Sequence, residues 1–551
     1  MGKILKKCGG LPMAIVSIAG LLASYKSSES KDMWERVRRS IGSQMESHPT
    51  LEGMKQIVTL SYNHLHYYLK GCMMYLSIFP EDYIFAKNRL LKRWIAEGLV
   101  AERGLTLMEV AEAYYNELVS RSMIDRADDI VTNYDGREER CRVHDMVLEV
   151  MVSKSLEANF ASLVGGPYEG MSYGSIRRLA IHGGEDLAPV DPPSNKIAAS
   201  HDRKNGIEGL KMEHVRSLSM FDLKGQKQVL DRLDEFSLLR VLDLEDCMGI
   251  EDKHLRHVCR MYLLRFLSMK GTNIGNMPEE VGELENLETL DVRDTKLTDL
   301  PATVSNLEKL EHLQMYHKEY IYQKSWIARR GLGRMKALRM ANAVTFGAES
   351  LSKLYSLRCL IIHRSDGPYC PDENVLNFLH GINPAPRLLQ YLSIYAGIDR
   401  LPEWVSSLNN LVEMCFCWTY FVDDQLFGPI CQLPKLKYLR MDTFYKGKEL
   451  VAKSAHTFPA LEYLSLVFDD EGMEVLQFEE NTMTKLETLY LKIRRSESRK
   501  VEGMENLASL KEVQLEGPKG NRAMHRAVEQ LKTLNEKHQG SNQIKVAVKY
   551  E

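Results

Sequence analysis

Hydrophobic residues recur in a short, regular pattern through the last two-thirds of the chain. From residue 215 onward, segments of the form LxxLxL follow one another, including LRVLDL at 239–244, LETLDV at 287–292 and LKYLRM at 436–441. Most of these segments start roughly 22–25 residues apart, which is the spacing of leucine-rich repeats. The apolar positions predict the core face of a short parallel strand, and the positions between them predict an outer face. The pattern therefore predicts an α/β leucine-rich-repeat solenoid, a parallel β horseshoe with one long concave surface.

The limits of this array follow from the same pattern. We expect the repeats to occupy residues 161–520, with a separate early unit at 176–181. An insertion rich in Gly, Pro and Asn near 183–206 separates that unit from the next one. Residues 521–551 contain a helical segment, RAMHRAVEQLKTLNEK, and then a strand-like segment, QIKVAVKY. We expect this last part to form the C-terminal cap of the array.

The front third has helical periodicity instead. Residues 51–160 contain several amphipathic segments, a helix stop at Pro80 and an NYDG turn at 133–136 between short strand-like segments. One of the segments, NRLLKRWIAEGLV, places an apolar stripe on one helical face, formed by Leu90, Leu91, Trp94 and Ile95. Helices followed by a hairpin form the outline of a winged helix, an α+β domain. Residues 1–50 precede it and are also mainly helical in pattern.

Composition narrows the function classes. A net charge of -3 over 551 residues argues against a nucleic-acid or membrane surface along the whole chain. The apolar run near the start is too short to span a bilayer, so no transmembrane segment is expected. Ten cysteines occur without a CxxC pair, which favours reduced, buried thiols and a location in the cytoplasm, with the nucleus left open.

A winged helix also raises DNA binding as an alternative. The recognition helix would be the segment that carries Arg89, Lys92 and Arg93. Acidic residues lie close to it in sequence, and three basic residues on a helix usually form only its solvated face. We therefore expect no nucleic-acid partner.

Residues 3–24, KILKKCGGLPMAIVSIAGLLAS, support two interpretations. Lysines ahead of an apolar run are typical of a secretory signal peptide. The same letters are also compatible with a core helix of a larger domain.

Five short segments decide between these interpretations. They are CGGLPMA (8–14), LSYNHL (60–65), CMMYLSIFPEDY (72–83), WIAEGLV (94–100) and VHDMV (143–147). In this order and spacing, and followed by leucine-rich repeats, they resemble the plant NB-ARC leucine-rich-repeat disease-resistance proteins (NLRs) of the coiled-coil subclass. The resemblance implies that residues 1–50 are a helical remnant of the NB-ARC module and not a signal peptide.

The resemblance also implies a nucleotide site for ADP or ATP. In the family, the proline of the GLPL motif packs on adenine and the histidine of the MHD motif approaches the phosphates. These roles fall on Pro12 and His144, with Asp145 holding the turn at the end of the winged helix. However, no GxxxxGK[ST] segment occurs, because Gly-Lys is found only at 2–3 and 447–448 without a following Ser or Thr. We therefore expect an N-terminally truncated, non-enzymatic chain that binds nucleotide weakly or not at all.

For the whole chain the resemblance implies part of an innate immune receptor. Its repeats would recognise a pathogen effector or a guarded host protein, and its winged helix would couple that contact to the ADP/ATP switch, in trans with an intact receptor where needed. The alternative is a repeat-based interaction or decoy module without nucleotide switching. Candidate partner-contacting residues on or beside the concave strands are Arg293, Tyr316, His363, Tyr395, Trp418 and Asp442.

Overall fold

The computed structural model describes residue 19 and residues 51–551 with internal gaps. The gaps are 103, 128–130, 134–135, 166–175, 184–209, 222–226, 316–325, 329–331, 342–343, 347–350, 364–378, 420, 422–425, 444, 446, 469–472, 495–496 and 538–542. The predicted remnant at 1–50, apart from residue 19, and nearly all of the insertion at 183–206 lie outside the described residues. The chain divides into two compact units, Met1–Asn133 with Arg137–Lys296, and Tyr134–Gly136 with Leu297–Glu551.

The first unit begins with the helices that the front third predicts. They are α1 (Leu51–Asn63), α2 (Tyr67–Tyr75), α3 (Lys87–Ala96), α4 (Leu107–Ser120) and α5 (Asp145–Glu157). The apolar stripe on α3 is buried in their shared core, where Leu90 and Trp94 are wholly inaccessible to solvent. Gly98, with φ of 75°, follows directly after α3 and turns the chain away from the helix axis.

The start of α4 shows how local sequence sets a helix boundary. The Thr106 hydroxyl accepts a hydrogen bond from the Glu109 backbone N–H at 3.3 Å, and the Glu109 carboxylate accepts one from the Thr106 N–H at 2.9 Å. This capping box satisfies two backbone donors that the helix itself leaves without a partner.

Short strands complete the winged-helix pattern. A three-stranded antiparallel sheet has the order β1–β5–β2, and β3 and β4 flank the predicted turn at 133–136; the strands are β1 (Phe85–Ala86), β2 (Asp125–Arg126), β3 (Val131–Asn133), β4 (Gly136–Glu138) and β5 (Arg140–Arg142).

The remaining strands of the first unit are parallel neighbours in chain order. They are β6 (Ser162–Val164), β7 (Arg178–His182), β8 (Ser217–Phe221), β9 (Val241–Asp243), β10 (Phe266–Ser268) and β11 (Thr289–Asp291). Leu242, Leu267 and Leu290 are paired in register across β9, β10 and β11 and are almost fully buried. The leucines of the repeat pattern thus stack into one apolar row, because a period of two places them on the same face of each strand.

The second unit continues the pattern with its own parallel strands, in the order β12, β14, β16, β17, β18, β19, β21, β23, β25 and β26. Their bounds are β12 (His312–Gln314), β14 (Met340–Ala341), β16 (Cys359–His363), β17 (Tyr391–Tyr395), β18 (Glu413–Thr419), β19 (Tyr438–Thr443), β21 (Tyr463–Phe468), β23 (Thr488–Ile493), β25 (Glu512–Gly517) and β26 (Lys545–Tyr550). The predicted C-terminal helix and strand are confirmed, since a 16-residue helix at Arg522–Lys537 precedes β26.

Further strands lie in the connections between repeats and were not expected from the leucine pattern. They form two small parallel sheets, β13 (Trp326–Ala328) with β15 (Val344–Phe346), and β20 (Glu449–Ala452), β22 (Val475–Phe478) and β24 (Lys500–Glu502). Short helices fill other connections, at Lys227–Leu230 (α6) and Asp252–Val258 (α7), which makes the Arg522–Lys537 helix α8. Within the described residues, no helix is both long and apolar enough to cross a membrane.

Candidate functional site

The basic residues of α3 are buried in the first unit. Arg93 is fully inaccessible, Lys92 is 6% exposed and Arg89 is 9% exposed. The expectation of a solvated basic face is therefore wrong. One face of α3 packs in the winged-helix core, and the basic face lies against strands of the first repeats. None of the three side chains is presented as the surface of a DNA recognition helix.

Arg93 is held by a set of buried polar groups. Its Nη1 donates to the Asp243 carboxylate at 2.6 Å, its Nε donates to the Tyr75 hydroxyl at 3.0 Å, and its Nη2 donates to the Ser219 hydroxyl. Asp243 is wholly buried at the end of β9. Because a buried charge is stable only when it is paired and hydrogen-bonded, this arrangement fixes α3 to the repeat strands.

Arg89, one helical turn before Arg93, binds the same carboxylate. Its Nε donates to Asp243 at 2.9 Å, its Nη1 donates to the Tyr83 hydroxyl at 2.8 Å, and Nη1 also forms an ion pair with Glu245. Burial alone would raise the pKa of Asp243, but the two guanidinium groups outweigh it and hold that pKa below its ordinary value. We call Arg89, Arg93, Asp243 and Glu245 the arginine latch.

The carboxyl end of α3 is bound to the repeats as well. Arg265 donates through Nη1 to the carbonyl oxygens of Ile95 and Ala96, both at 3.2 Å, and Arg178 donates to Glu97 at 2.9 Å. A cation at this end of a helix is favourable, because the last carbonyl groups carry the negative pole of the helix dipole. Beside these contacts, Ala96 packs with Val241 and Phe266 in a small buried cluster.

His182, on β7, forms another contact between the repeats and the winged helix. Its Nε2 donates to the Ile78 carbonyl oxygen at 2.8 Å, and the residue is 5% exposed. Burial disfavours the charged ring and lowers the pKa of His182, although the hydrogen bond to Ile78 opposes this effect. Next to it, the Phe79 and Phe221 rings meet edge to face with centroids 5.7 Å apart.

The acidic partners in the latch were missed by sequence reasoning. Asp243 and Glu245 occupy outer positions of a repeat strand and its turn, where the leucine pattern carries no information. A usable signal was present: α3 has basic residues on the side opposite its apolar stripe, and the LRVLDLED segment offers acids at outer positions. The link spans 150 residues of sequence, so nothing local connects the two segments.

The carried-over nucleotide-site residues are only partly described. Pro12 lies outside the described residues. His144 is the N-cap of α5 and is exposed, and its Nδ1 accepts a hydrogen bond from the Met146 backbone N–H at 3.3 Å. Asp145 follows as the first residue of the helix and is half-buried.

The candidate partner-contacting residues have different environments. Arg293 is 5% exposed and forms ion pairs with Asp291 at 2.7 Å and with Glu138 at 3.8 Å. Tyr395 is 3% exposed. Asp442 is half-buried, 3.7 Å from Arg494. Tyr316 lies outside the described residues; His363 and Trp418 lie on β16 and β18, and only their backbone is described. A partner-binding role for these residues stays a prediction, and burial leaves little of Arg293 and Tyr395 for a partner to touch.

Two family models match the chain. One, described as the disease resistance protein winged helix domain, matches residues 78–151, and the other, described as a leucine-rich repeat region, matches residues 214–382 and 347–543. The latch lies within these segments, with its arginines in the first and its acids in the second.

Curated plant proteins are similar over most of the chain. Disease resistance protein Pik-2 of Oryza sativa subsp. japonica is 30% identical, over 75% of this chain and 44% of the relative. Disease resistance protein PIK6-NP of the same plant is 29% identical, over 97% of this chain and 57% of the relative. The chain thus spans about half the length of these relatives.

Among solved structures, the leucine-rich-repeat protein LIC12759 of Leptospira interrogans matches 61% of this chain and 90% of its own, at 16% identity and a TM-score of 0.36. The two family models and the plant relatives show that the chain belongs to the leucine-rich-repeat disease-resistance proteins of plants.

Proposed function

We propose that this chain is part of an innate immune receptor in which the arginine latch couples the repeats to the winged helix. The observation that carries the proposal is the burial of two guanidinium groups on the single carboxylate of Asp243. Removing one partner of such a buried ion pair destabilises a protein by roughly 3–5 kcal/mol, because the other charge stays buried without compensation. The pairing therefore makes the contact two-state, either closed and satisfied or open and hydrated.

In this proposal the repeats bind a protein, either a pathogen effector or a guarded host protein. The ligand shifts the population toward the open state only if it binds that state more tightly. A shift from 1:99 to 99:1 requires a difference of about 5.5 kcal/mol in binding free energy. A protein bound to the repeats therefore opens the latch only if its binding free energy differs between the two states by an amount of this order.

Binding of ADP or ATP by the chain is a separate part of the proposal, and it rests on family resemblance. Because Nδ1 of His144 accepts the Met146 N–H, the ring proton of the neutral side chain is on Nε2. An exposed Nε2–H at the start of a helix is suited to donate to a phosphate oxygen. The carboxylate of Asp145 beside it opposes an anion, so we propose that these residues supply only an edge of the site. We place the receptor in the cytoplasm.

The coupling is tested by transient expression in leaf tissue, alone and together with a complete receptor of the family. Asp243→Ala should open the latch and produce or enhance cell death. Asp234→Ala is the matched control, because Asp234 is exposed in the same repeat region. If Asp243→Ala accumulates normally and leaves the response equal to the control in both settings, the coupling is contradicted.

The alternative, a repeat-based interaction or decoy module without switching, is separated by a nucleotide-binding measurement. A fluorescent ADP analogue is titrated into the purified chain and into His144→Ala. The control is His214→Ala, since His214 is exposed outside this region. If His144→Ala weakens binding of the analogue and His214→Ala does not, the nucleotide site is supported. If the folded chain shows no measurable binding, the interaction module is favoured.

A further inference from the structure

Two cysteines occupy neighbouring outer positions on β18. Cys415 and Cys417 alternate along the strand with Met414 and Phe416, which are fully buried in the repeat core. Their Sγ atoms are 4.0 Å apart. The two thiols therefore meet on the outer side of the strand, away from the leucine rows.

This pair packs in an apolar cluster with Ile361 and Tyr391, beside a hydroxyl group and a basic residue. The Tyr395 hydroxyl lies 3.8 Å from the Cys415 Sγ, and Arg440 is directly opposite Cys415 in the register between β18 and β19. Cys415 is 2% exposed and Cys417 is half-buried. An arginine beside a buried thiol favours the thiolate, because it supplies the opposite charge where water cannot.

The ionisation of the two sulfurs differs accordingly. The Cys417 thiol donates a hydrogen bond that lowers the pKa of Cys415 to about 6, and Arg440 acts in the same direction. Donating that bond raises the pKa of Cys417. By contrast, burial without such partners raises the pKa of Cys259 to about 12. The negative charge is therefore favoured on Cys415 rather than on Cys417.

The pairing of the strand becomes irregular just after these cysteines. The regular pairing of β18 with β19 shifts between Cys417 and Thr419, as in a β-bulge. A bulge leaves a residue outside the ladder and lets the strand bend locally. Closing the 4.0 Å gap to a disulfide bond of about 2.05 Å requires the backbone around Cys415 and Cys417 to adjust, and the irregularity in the ladder lies on the Cys417 side of the pair.

We propose that Cys415 and Cys417 form a redox-active dithiol, which a peroxide converts into an intrachain disulfide. The Cys415 thiolate attacks a peroxide oxygen, the O–O bond breaks, and the departing hydroxide takes up a proton to form water. The sulfenic acid left on Cys415 is then attacked by the sulfur of Cys417, which loses its proton while the sulfenic oxygen leaves as water. Two thiols give up two electrons and two protons, and one peroxide becomes two waters.

Oxidation would change the charge of the outer strand face. The thiolate disappears, while the guanidinium of Arg440 stays charged. A disulfide between cysteines two residues apart on a strand is strained, and strained disulfides are readily reduced. The pair is therefore suited to reversible regulation, and this inference does not depend on the proposed function.

The test uses the full chain treated with hydrogen peroxide and then with an alkylating agent under denaturing conditions. Residues 401–435 form one tryptic peptide with Cys415, Cys417 and Cys431, and fragmentation mass spectrometry locates the bond. We expect a bond between Cys415 and Cys417 that protects both from alkylation and is reversed by dithiothreitol. Because the pKa of Cys415 is lowered and that of Cys259 is raised, the oxidation of the pair should level off at a lower pH than the oxidation of Cys259.

Variants check the assignment. Cys417→Ser should leave a Cys415 sulfenic acid that reacts with dimedone, and Arg440→Gln should slow oxidation near pH 6. Cys431→Ser is the matched control, because Cys431 is also buried in this unit and should leave the rate unchanged. Circular dichroism shows whether each variant is folded. The location of the disulfide bond in the wild-type chain tests the proposal even if a variant does not fold. The proposal is overturned if the bond joins a different pair, or if Cys415 and Cys417 stay reduced while other thiols oxidise.

Discussion

At the scale of single residues, Asp243 joins α3 to the repeat strands through a buried charge. Its carboxylate is wholly buried and accepts hydrogen bonds from Arg89 at 2.9 Å and Arg93 at 2.6 Å. A leucine removed from the core would leave a cavity, whereas a carboxylate removed here would leave two buried cations.

We therefore expect Asp243→Ala to lower the free energy of unfolding by roughly 3–5 kcal/mol. Arg93→Ala should be less severe, because Asp243 keeps its contact with Arg89. Urea denaturation of both variants and of the double variant measures the coupling between them. Strictly additive changes in the two single variants would contradict a shared buried network.

His182 makes the contact between the repeats and the winged helix sensitive to pH, because it bonds to Ile78. Its folded pKa is lowered, so below about pH 6.5 the unfolded chain takes up a proton that the folded chain resists. We expect stability to fall as the pH drops below that value, and His182→Gln to reduce this dependence. Denaturation at pH 7.5 and 5.5 tests it, with exposed His214→Gln as the control. Equal pH dependence in the wild type and both variants would exclude His182 as the cause.

At the scale of elements, short sequence signals mark the helix boundaries and the repeat strands. Thr106 and Glu109 mark the start of α4, Gly98 marks the end of α3, and the leucines place each repeat strand in register. The helix boundaries depend on residues close together in sequence, and the register of the strands follows from the regular spacing of the repeats. The sheet of β20, β22 and β24 was missed because its strands are three or four residues long and lie in connections of variable composition.

The capping box gives a prediction at this scale. Thr106→Ala removes the side chain that accepts the Glu109 N–H, so we expect a loss of about 1 kcal/mol in the free energy of unfolding. Ser120→Ala at the other end of α4 is the matched control, because Ser120 is exposed and bonds only to a carbonyl oxygen one turn earlier. Urea midpoints compare the two. An equal loss in both variants would show that the cap itself contributes nothing.

At the scale of the whole molecule, pairing between distant segments could not be predicted. The leucine pattern specifies that each strand packs beside the next, but it does not specify which helix covers the outer positions. The latch joins residues 150 positions apart, and each half of it resembles an ordinary charged surface in the sequence. The partner-contact candidates illustrate the same point, because Arg293 and Tyr395 look accessible by position and are buried.

The end of the repeat sheet provides a prediction for the second unit. Strand β26 pairs with β25 along its full length, and α8 buries Leu531. A chain that stops at residue 520 would leave the β25 edge unpaired, and unpaired edges promote association. We expect this truncated chain to elute as aggregates in size-exclusion chromatography, unlike the full chain and a Lys549→Ala control. A monodisperse truncated chain would show that residues 521–551 do not cap the array.

The sharing of one carboxylate by two arginines has a genetic consequence. A change at Arg89 or Arg93 leaves the other arginine bound, whereas any replacement of Asp243 releases both at once. Under the proposed receptor role, a deep mutational scan for variants that signal without a pathogen should therefore find hits concentrated on Asp243 and rarer on Arg89 and Arg93.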